Sequence, residues 1–156
     1  MIILGIDPGT AITGFGIVRK ELRGKLQCVE YGTIETPKSK AASQRLLLLQ
    51  RALSRVVSRH RPAVAVVERM FFFKNAKTAL PVSEARGVIL AELAKKRVRI
   101  IELTPLEMKA AITGYGRAEK KQMQRMVQKT LRLQDLPRPD DAADALGLAI
   151  AGSFLN

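Results

Sequence analysis

MIILGIDPGTAITGFG, residues 1–16, decides how the rest of the chain is read. Met1 to Ile6 is an apolar run of strand length, short enough to lie buried in a sheet. It delivers one carboxylate, Asp7, and breaks at once on Pro8 and Gly9, residue types that make tight turns. An acid at the end of a buried strand is poor solubility decoration. It reads as a group held rigidly for a purpose. The same device recurs at Glu68, which ends the run AVAVVE (63–68), and at Asp141/Asp144 in DDAADALGLAI (140–150). Three distant segments can therefore aim carboxylates at one place.

The 156 residues fit one domain, 1–156, with a real core. No apolar stretch approaches the roughly 20 residues that cross a bilayer. The start MIILGID lacks the basic n-region and cleavage site of a secretory signal. A single cysteine, Cys28, excludes an internal disulfide, and a single histidine, His60, excludes a zinc site of the usual Cys/His kind. A reducing, cytoplasmic setting is expected. Lys and Arg number 27 against 14 acids, a net charge of +13, which favours a polyanion, nucleic acid first. The bland reading is a merely soluble, basic protein. A membrane surface competes less well, because no helix pairs a basic face with an aromatic-rich insertion face.

Thr13 to Val18 and Leu26 to Ile34 predict two further strands around a turn, LRGK, which with 1–6 make an antiparallel meander. PKSKAAS (37–43) is a breaker-rich loop ending on Ser43, a plausible N-cap. Leu46, Leu49, Leu53, Val56 and Val57 then repeat at helical spacing until Arg61-Pro62. A helix is predicted over 78–95, with Val82, Ala85, Val88, Leu90, Ala91 and Leu93 on its apolar side. Its start near Thr78 puts Pro81 in the first turn, where the missing N–H is not needed. VRIIEL (98–103) is the next strand, and Thr104-Pro105 opens a short helix to about Ile112. Helices over 118–131 and Asp141 to Ser153 complete the chain, the former with Met123, Met126, Val127 and Leu131 inward. The sum is an α/β fold: a mixed five-stranded sheet, three strands antiparallel and two parallel, with helices on both faces.

Phosphodiester cleavage assisted by divalent cations needs hard oxygen ligands on rigid elements. Asp7 and Glu68 each terminate a strand of buried type. Neighbouring parallel strands bring their C-terminal ends together, where open α/β sheets place their sites. Asp141 and Asp144 are three apart and share a helix face; Asp140 and Asp144, four apart, share one equally well. Spacing does not choose between them. Ala142, Ala143 and Ala145 are small enough for this helix to pack closely on the sheet. Each acid also has an ordinary reading. Asp140 or Asp141 after Pro139 makes an N-cap, Asp7 an Asx-turn, Glu68 a paired surface acid. Their coincidence in so basic a chain points to metal.

Phe71, Phe72 and Phe73 follow Glu68 closely, beside Lys74 and Lys77. Aromatics in a basic loop can stack on unpaired bases, and a core position is the ordinary reading for at least one. Basic residues also cluster at Lys109, Arg117, Lys120, Lys121, Arg125, Lys129 and Arg132. A solvated helix face accounts for Arg125 and Lys129. Lys109 and Lys120 flank a glycine loop, TGYGRA (113–118), a better place to hold a phosphate. The candidate DNA contacts are Phe71, Phe72, Lys74, Lys109, Arg117, Lys120 and Lys121.

GIDPGTAITGFGIV, VVERMFFFKNAKTAL, EARGVI, TPLEMKAAITGYGRAEKKQM and DDAADALGLAI, in this order and spacing, resemble the segments of RuvC-type Holliday junction resolvases over about residues 1–154. The resemblance implies a ribonuclease H-like fold and a Mg²⁺-dependent endonuclease working as a homodimer on four-way DNA junctions. It implies paired symmetric nicks near the branch point that leave 5′-phosphates, two Mg²⁺ per site with Mn²⁺ as a substitute, and a branch-migration complex as a further partner. Asp7, Glu68, Asp141 and Asp144 become the catalytic and metal-binding acids, which prefers Asp141 to Asp140. Phe71 becomes the aromatic that stacks on bases, and Lys109 and Lys120 the cations near the phosphate. Pro81 and the extra acid Asp140 depart from the family's pattern. Helix 78–95 is the candidate dimer element. The rival readings are a ribonuclease H-like nuclease acting on RNA or RNA–DNA hybrids, an ATPase or sugar kinase, and an inert junction-binding protein. The second normally needs another domain, and the intact acids argue against the third.

Overall fold

The computed structural model describes residues 1–69 and 76–155, with the backbone alone for 76–78. Strands β1 (Ile2–Asp7), β2 (Ile12–Lys20) and β3 (Leu26–Glu35) form the expected meander. A single 3₁₀ turn at Leu22–Gly24 reverses the chain between β2 and β3. There follow α1 (Ala42–His60), β4 (Val64–Glu68), α2 (Ala76–Lys95), β5 (Arg99–Leu103), α3 (Pro105–Thr113), α4 (Lys120–Leu131) and α5 (Asp140–Ser153). The sheet order is β3-β2-β1-β4-β5. β1 pairs antiparallel with β2 and parallel with β4, and β4 pairs parallel with β5. This is the mixed five-stranded sheet that the sequence predicts.

Strand alternation sorts the core into two layers. Leu4 and Ile6 of β1 face α1 and α2, among Leu49, Leu53, Ile89 and Leu93. Ile3 of β1 and Val64 and Val66 of β4 face the opposite layer, among Met108, Met123, Leu146 and Leu148. Counting on by twos from these residues puts Asp7 and Glu68 on the α5 side of the sheet. Among the described residues no helix is long and apolar enough to cross a membrane.

Several boundaries differ from expectation, each for a local reason. α1 starts at Ala42 with Ala41 at the N-cap, so Ser43 lies inside the first turn. α2 starts at Ala76, which makes Pro81 its sixth residue rather than a first-turn one. Pro81 has no N–H for the carbonyl four residues back, and the helix continues through it. The buried stripe of α2 is Ala85, Ile89, Glu92 and Leu93, while Ala91 is exposed. That stripe follows the i, i+4, i+7, i+8 rule, and Ala91 falls off it. α4 starts at Lys120, after Glu119 as N-cap. Thr104 does open α3, through a capping box: its backbone N–H donates to Glu107 Oε2 (2.8 Å) and its Oγ1 accepts from the Glu107 N–H (3.1 Å).

Candidate active site

The site grows from two strand ends and one helix. β1 and β4 run parallel with Ile6 opposite Val67, so the next residue of each strand is the acid. Asp7 and Glu68 therefore emerge side by side at the C-terminal end of the parallel pair. α5 crosses the same face of the sheet against β1 and β2. It comes so near because three strand residues beneath it have no side chain. A Cβ at Gly5 would stand 1.9 Å from the Ala145 carbonyl oxygen; at Gly14, 2.0 Å from that of Asp141; at Gly16, 2.8 Å from the Leu146 nitrogen. Ala142, Ala143 and Ala145 complete the contact, all fully buried. The helix seats with its first turn over the start of β2 and the end of β1, bringing Asp141 and Asp144 to Asp7 and Glu68.

The convergence has an electrostatic consequence. The Asp7 carboxyl is pushed up to about 9, first by burial, then by the charges of Glu68, Asp144 and Asp141, with a hydrogen bond to Glu68 adding to the effect. Glu68 is raised mainly by burial and by Asp144, against the pull of the Asp7 hydrogen bond and of Lys109 and Lys120. Asp144 is raised by burial, with Asp140 and Asp141 adding to it and Lys120 opposing. Like charges this close cannot all remain ionised without a counter-charge. Asp141 is among the charges that raise Asp7, and both Asp140 and Asp141 raise Asp144.

Asp140 has a different place. It is the first residue of α5, Pro139 takes the N-cap position without a side-chain bond, and neither Asp140 nor Asp141 caps the helix. The exposed Asp140 carboxylate accepts from Gln124 Nε2 at 2.9 Å and lies 3.0 Å from Lys120 Nζ. Lys120 Nζ also lies 3.7 Å from Asp144. These partners hold Asp140 below the usual carboxylate range, the Lys120 and Gln124 hydrogen bonds leading.

The donor set suits a hard divalent cation: carboxylate oxygens, without histidine or cysteine, in a desolvated place where they repel one another. Among the described residues no three such side chains are gathered tightly enough to enclose an ion by themselves. An open set of this kind matches a cation that keeps waters and takes substrate oxygens as further ligands.

Of the candidate DNA contacts, Lys109 on α3 and Lys120 on α4 act on the acids directly. Lys121 is exposed one residue further along α4, and Arg117 is exposed on the loop before it. Phe71, Phe72, Phe73 and Lys74 lie outside the described residues, and so does the Lys77 side chain. Sequence reasoning missed Arg86 of α2. Its Nε donates to the Glu68 carbonyl at 3.3 Å, and its Nη2 donates to Glu102 of β5. Glu102 is also 3.7 Å from Arg69 Nε, and the Arg69 N–H donates to the Leu103 carbonyl at 2.7 Å. This network fixes the backbone that carries Glu68. The available signal was an arginine adjoining the buried stripe of α2 in EARGVI.

Comparison with known proteins agrees with this geometry. Residues 3–152 match the family described as crossover junction endodeoxyribonuclease RuvC. The proteins of that name from Syntrophomonas wolfei and Caldicellulosiruptor saccharolyticus are 49% and 47% identical over 150 residues, covering 96% of this chain and 87% and 90% of theirs. The Thermus thermophilus RuvC structure superposes with a TM-score of 0.92 at 31% identity, covering 99% of this chain and 94% of that one. The same protein in complex with a Holliday junction substrate gives a TM-score of 0.93 at 30% identity, with the same coverage. With its ribonuclease H-like sheet and four converging acids, this chain belongs to the crossover junction endodeoxyribonuclease RuvC family.

Proposed function

We propose that this protein resolves four-way DNA junctions by paired, symmetric nicks near the branch point, using divalent cations held by Asp7, Glu68, Asp141 and Asp144. The observation that carries the reading is the burial of Asp7 among three other acids, which raises its carboxyl to about 9. A fold does not keep that repulsion for its own stability. Mg²⁺ suits the oxygen donors best, two ions per site, with Mn²⁺ as a substitute. When bound, such cations lower the pKa of water and offset the charge that builds on the scissile phosphate.

The residues divide the remaining work. Asp7 and Glu68 would hold the cations from the strand side. Asp141 and Asp144 would hold them from the helix side. Lys109 and Lys120 draw the phosphodiester toward the acids and offset its charge. Arg117 and Lys121 extend that attraction outward, and Phe71, Phe72 and Lys74 meet bases and backbone at the branch point. The products carry a 5′-phosphate and a 3′-hydroxyl.

A two-fold junction needs two active sites, which a two-fold dimer supplies. α2 is the element proposed for that contact. Leu80 is exposed, and Glu84, Gly87 and Ala91 continue the same exposed face, most of it small or apolar. A monomer by sedimentation that still cuts both strands in concert would contradict this.

The central test is Asp7→Asn on a synthetic immobile junction. Binding should survive and cutting disappear. Near-normal cutting by the variant with Mg²⁺ would overturn the reading. Linear duplex and RNA–DNA hybrid run in parallel separate it from a hybrid-cutting nuclease.

A further inference from the structure

Two adjoining surface grooves lead away from the acids along α4. The first, about 920 Å³, is lined by Lys121, Gln124 and Arg125 of α4, by Leu136 to Pro139, and by Asp140 and Asp141 at its inner end. The second, about 590 Å³, shares Leu136 and Arg138 with the first and continues past Gln128 to Tyr31. Because the lining is shared, the two form one track. It starts at the acids of α5 and ends on the edge strand β3.

The charges along the track are ordered. Asp140 and Asp141 stand at the inner end, and Asp140 is already engaged by Lys120. Lys121, Arg125 and Arg138 follow, all exposed. None of these three sits in an ion pair among the described residues. Lys121 and Arg125 are one helical turn apart, so their Cβ atoms lie about 6 Å from each other on one face. Asp135 is the one acid of the outer half. At the far end Tyr31 is an exposed aromatic on an edge strand, 37% accessible. Its ring lines the groove beside Arg138. Cations in a row followed by an aromatic are what a nucleic acid backbone and an adjacent base or sugar recognise.

We infer that this track binds the DNA strand on one side of the scissile phosphate, with Arg125 and Arg138 each contacting a backbone phosphate and Tyr31 stacking at the outer end. The inference rests on the junction-cutting function proposed above and extends its footprint beyond the acids. Arg125, dismissed by sequence as part of a solvated helix face, becomes a positioning residue, because it acts on substrate away from the reacting atoms.

The test is the salt dependence of binding to a synthetic four-way junction in EDTA, where no cutting occurs. Each phosphate contact contributes about 0.9 to the slope of log K against log salt. Arg125→Ala/Arg138→Ala should lower the slope by about 2 contacts' worth, and Tyr31→Ala should weaken binding with the slope unchanged. The control is Arg51→Ala/Arg55→Ala, which removes the same charge from α1 in the opposite layer. Its slope should stay at the wild-type value. Equal slopes for Arg125→Ala/Arg138→Ala and wild type would overturn the inference, as would equal losses in the track and control pairs. Wild-type protein that fails to prefer the junction to linear duplex would instead sink the functional reading, so the two failures are distinguishable. Circular dichroism and melting of each variant keep folding out of the comparison.

Discussion

Gly14 lies directly beneath Asp141: a Cβ there would stand 2.0 Å from the Asp141 carbonyl oxygen and 3.0 Å from the Ala142 nitrogen. The candidate site is therefore built on missing side chains as much as on present ones. The acids of α5 reach Asp7 because β2 and β1 offer the helix bare backbone at Gly14, Gly16 and Gly5.

Gly14→Ala should accordingly damage stability and cutting together. The new methyl meets backbone atoms, which cannot rotate away, so α5 must lift. Overpacking of this kind costs about 1–3 kcal/mol, and at this chain length each kcal/mol is roughly 2–4 °C in Tm. The measurement is a thermal melt beside a junction-cutting assay. A variant that melts and cuts like wild type would show that α5 is not seated by this contact.

Asp7 predicts a pH-dependent instability of the cation-free protein. Its carboxyl stands near 3.8 in the unfolded chain and at about 9 when folded. Between those values the folded state binds the extra proton, so stability is greatest at the acid end and is lost as pH rises toward 9. The slope approaches about 1.4 kcal/mol per pH unit for one proton. Asp7→Asn should flatten the profile in EDTA, and saturating Mg²⁺ should flatten it in wild type by supplying the missing positive charge. Urea unfolding between pH 6 and pH 8 reads this directly. Parallel profiles for wild type and Asp7→Asn would rule it out.

The strands and the acids were legible because both are written in short, local stretches: an apolar run that ends on a carboxylate. Short unbroken apolar runs in MIILGID and AVAVVE mark buried strands, and their parallel pairing makes neighbours of Asp7 and Glu68. The choice between Asp140 and Asp141 was not legible. It depends on the rotation of α5 about its axis, which the glycines under it set. Those glycines were in plain view at positions 5, 14 and 16, inside the predicted strands, but nothing in the strand pattern marks them as a landing for a helix. α2 was misplaced for a related reason. Pro81 looks like a first-turn proline, and only the packing of Ala85, Ile89 and Leu93 shows where the helix faces.

Arg86 links α2, β4 and β5 through the Glu68 carbonyl and the Glu102 carboxylate. Its side chain is only 22% exposed, so its removal leaves Glu102 short of its main partner. Arg86→Ala should cost about 1–3 kcal/mol of stability, as expected for losing a charged hydrogen bond. Because the network holds the backbone of Glu68, cutting at saturating junction should fall further than binding does. Arg86→Lys, which keeps the charge but loses the fork, should recover stability better than cutting. Equal recovery of both would reduce Arg86 to a structural tie.

Lys120 supplies the last prediction, because its ammonium occupies ground between Asp140 and Asp144 at 3.0 and 3.7 Å. Burial lowers its affinity for a proton, yet the Asp140 hydrogen bond and the charges of Asp144, Asp140 and Asp141 raise it overall, so it stays protonated. Both side chains of the Lys120–Asp140 pair are at least half exposed, and such pairs contribute only about 0–1 kcal/mol. Lys120→Ala should therefore leave the melting temperature nearly unchanged. Cutting should drop by about 10²-fold, the usual cost of losing one fixed positive group beside a developing charge. Asp140→Asn removes a tether rather than the cation, so its loss should stay near fivefold, the rate equivalent of about 1 kcal/mol. Single-turnover cutting at saturating enzyme separates the two variants. A larger defect in Asp140→Asn than in Lys120→Ala would make Asp140 itself a ligand and reopen the choice between the two adjacent acids.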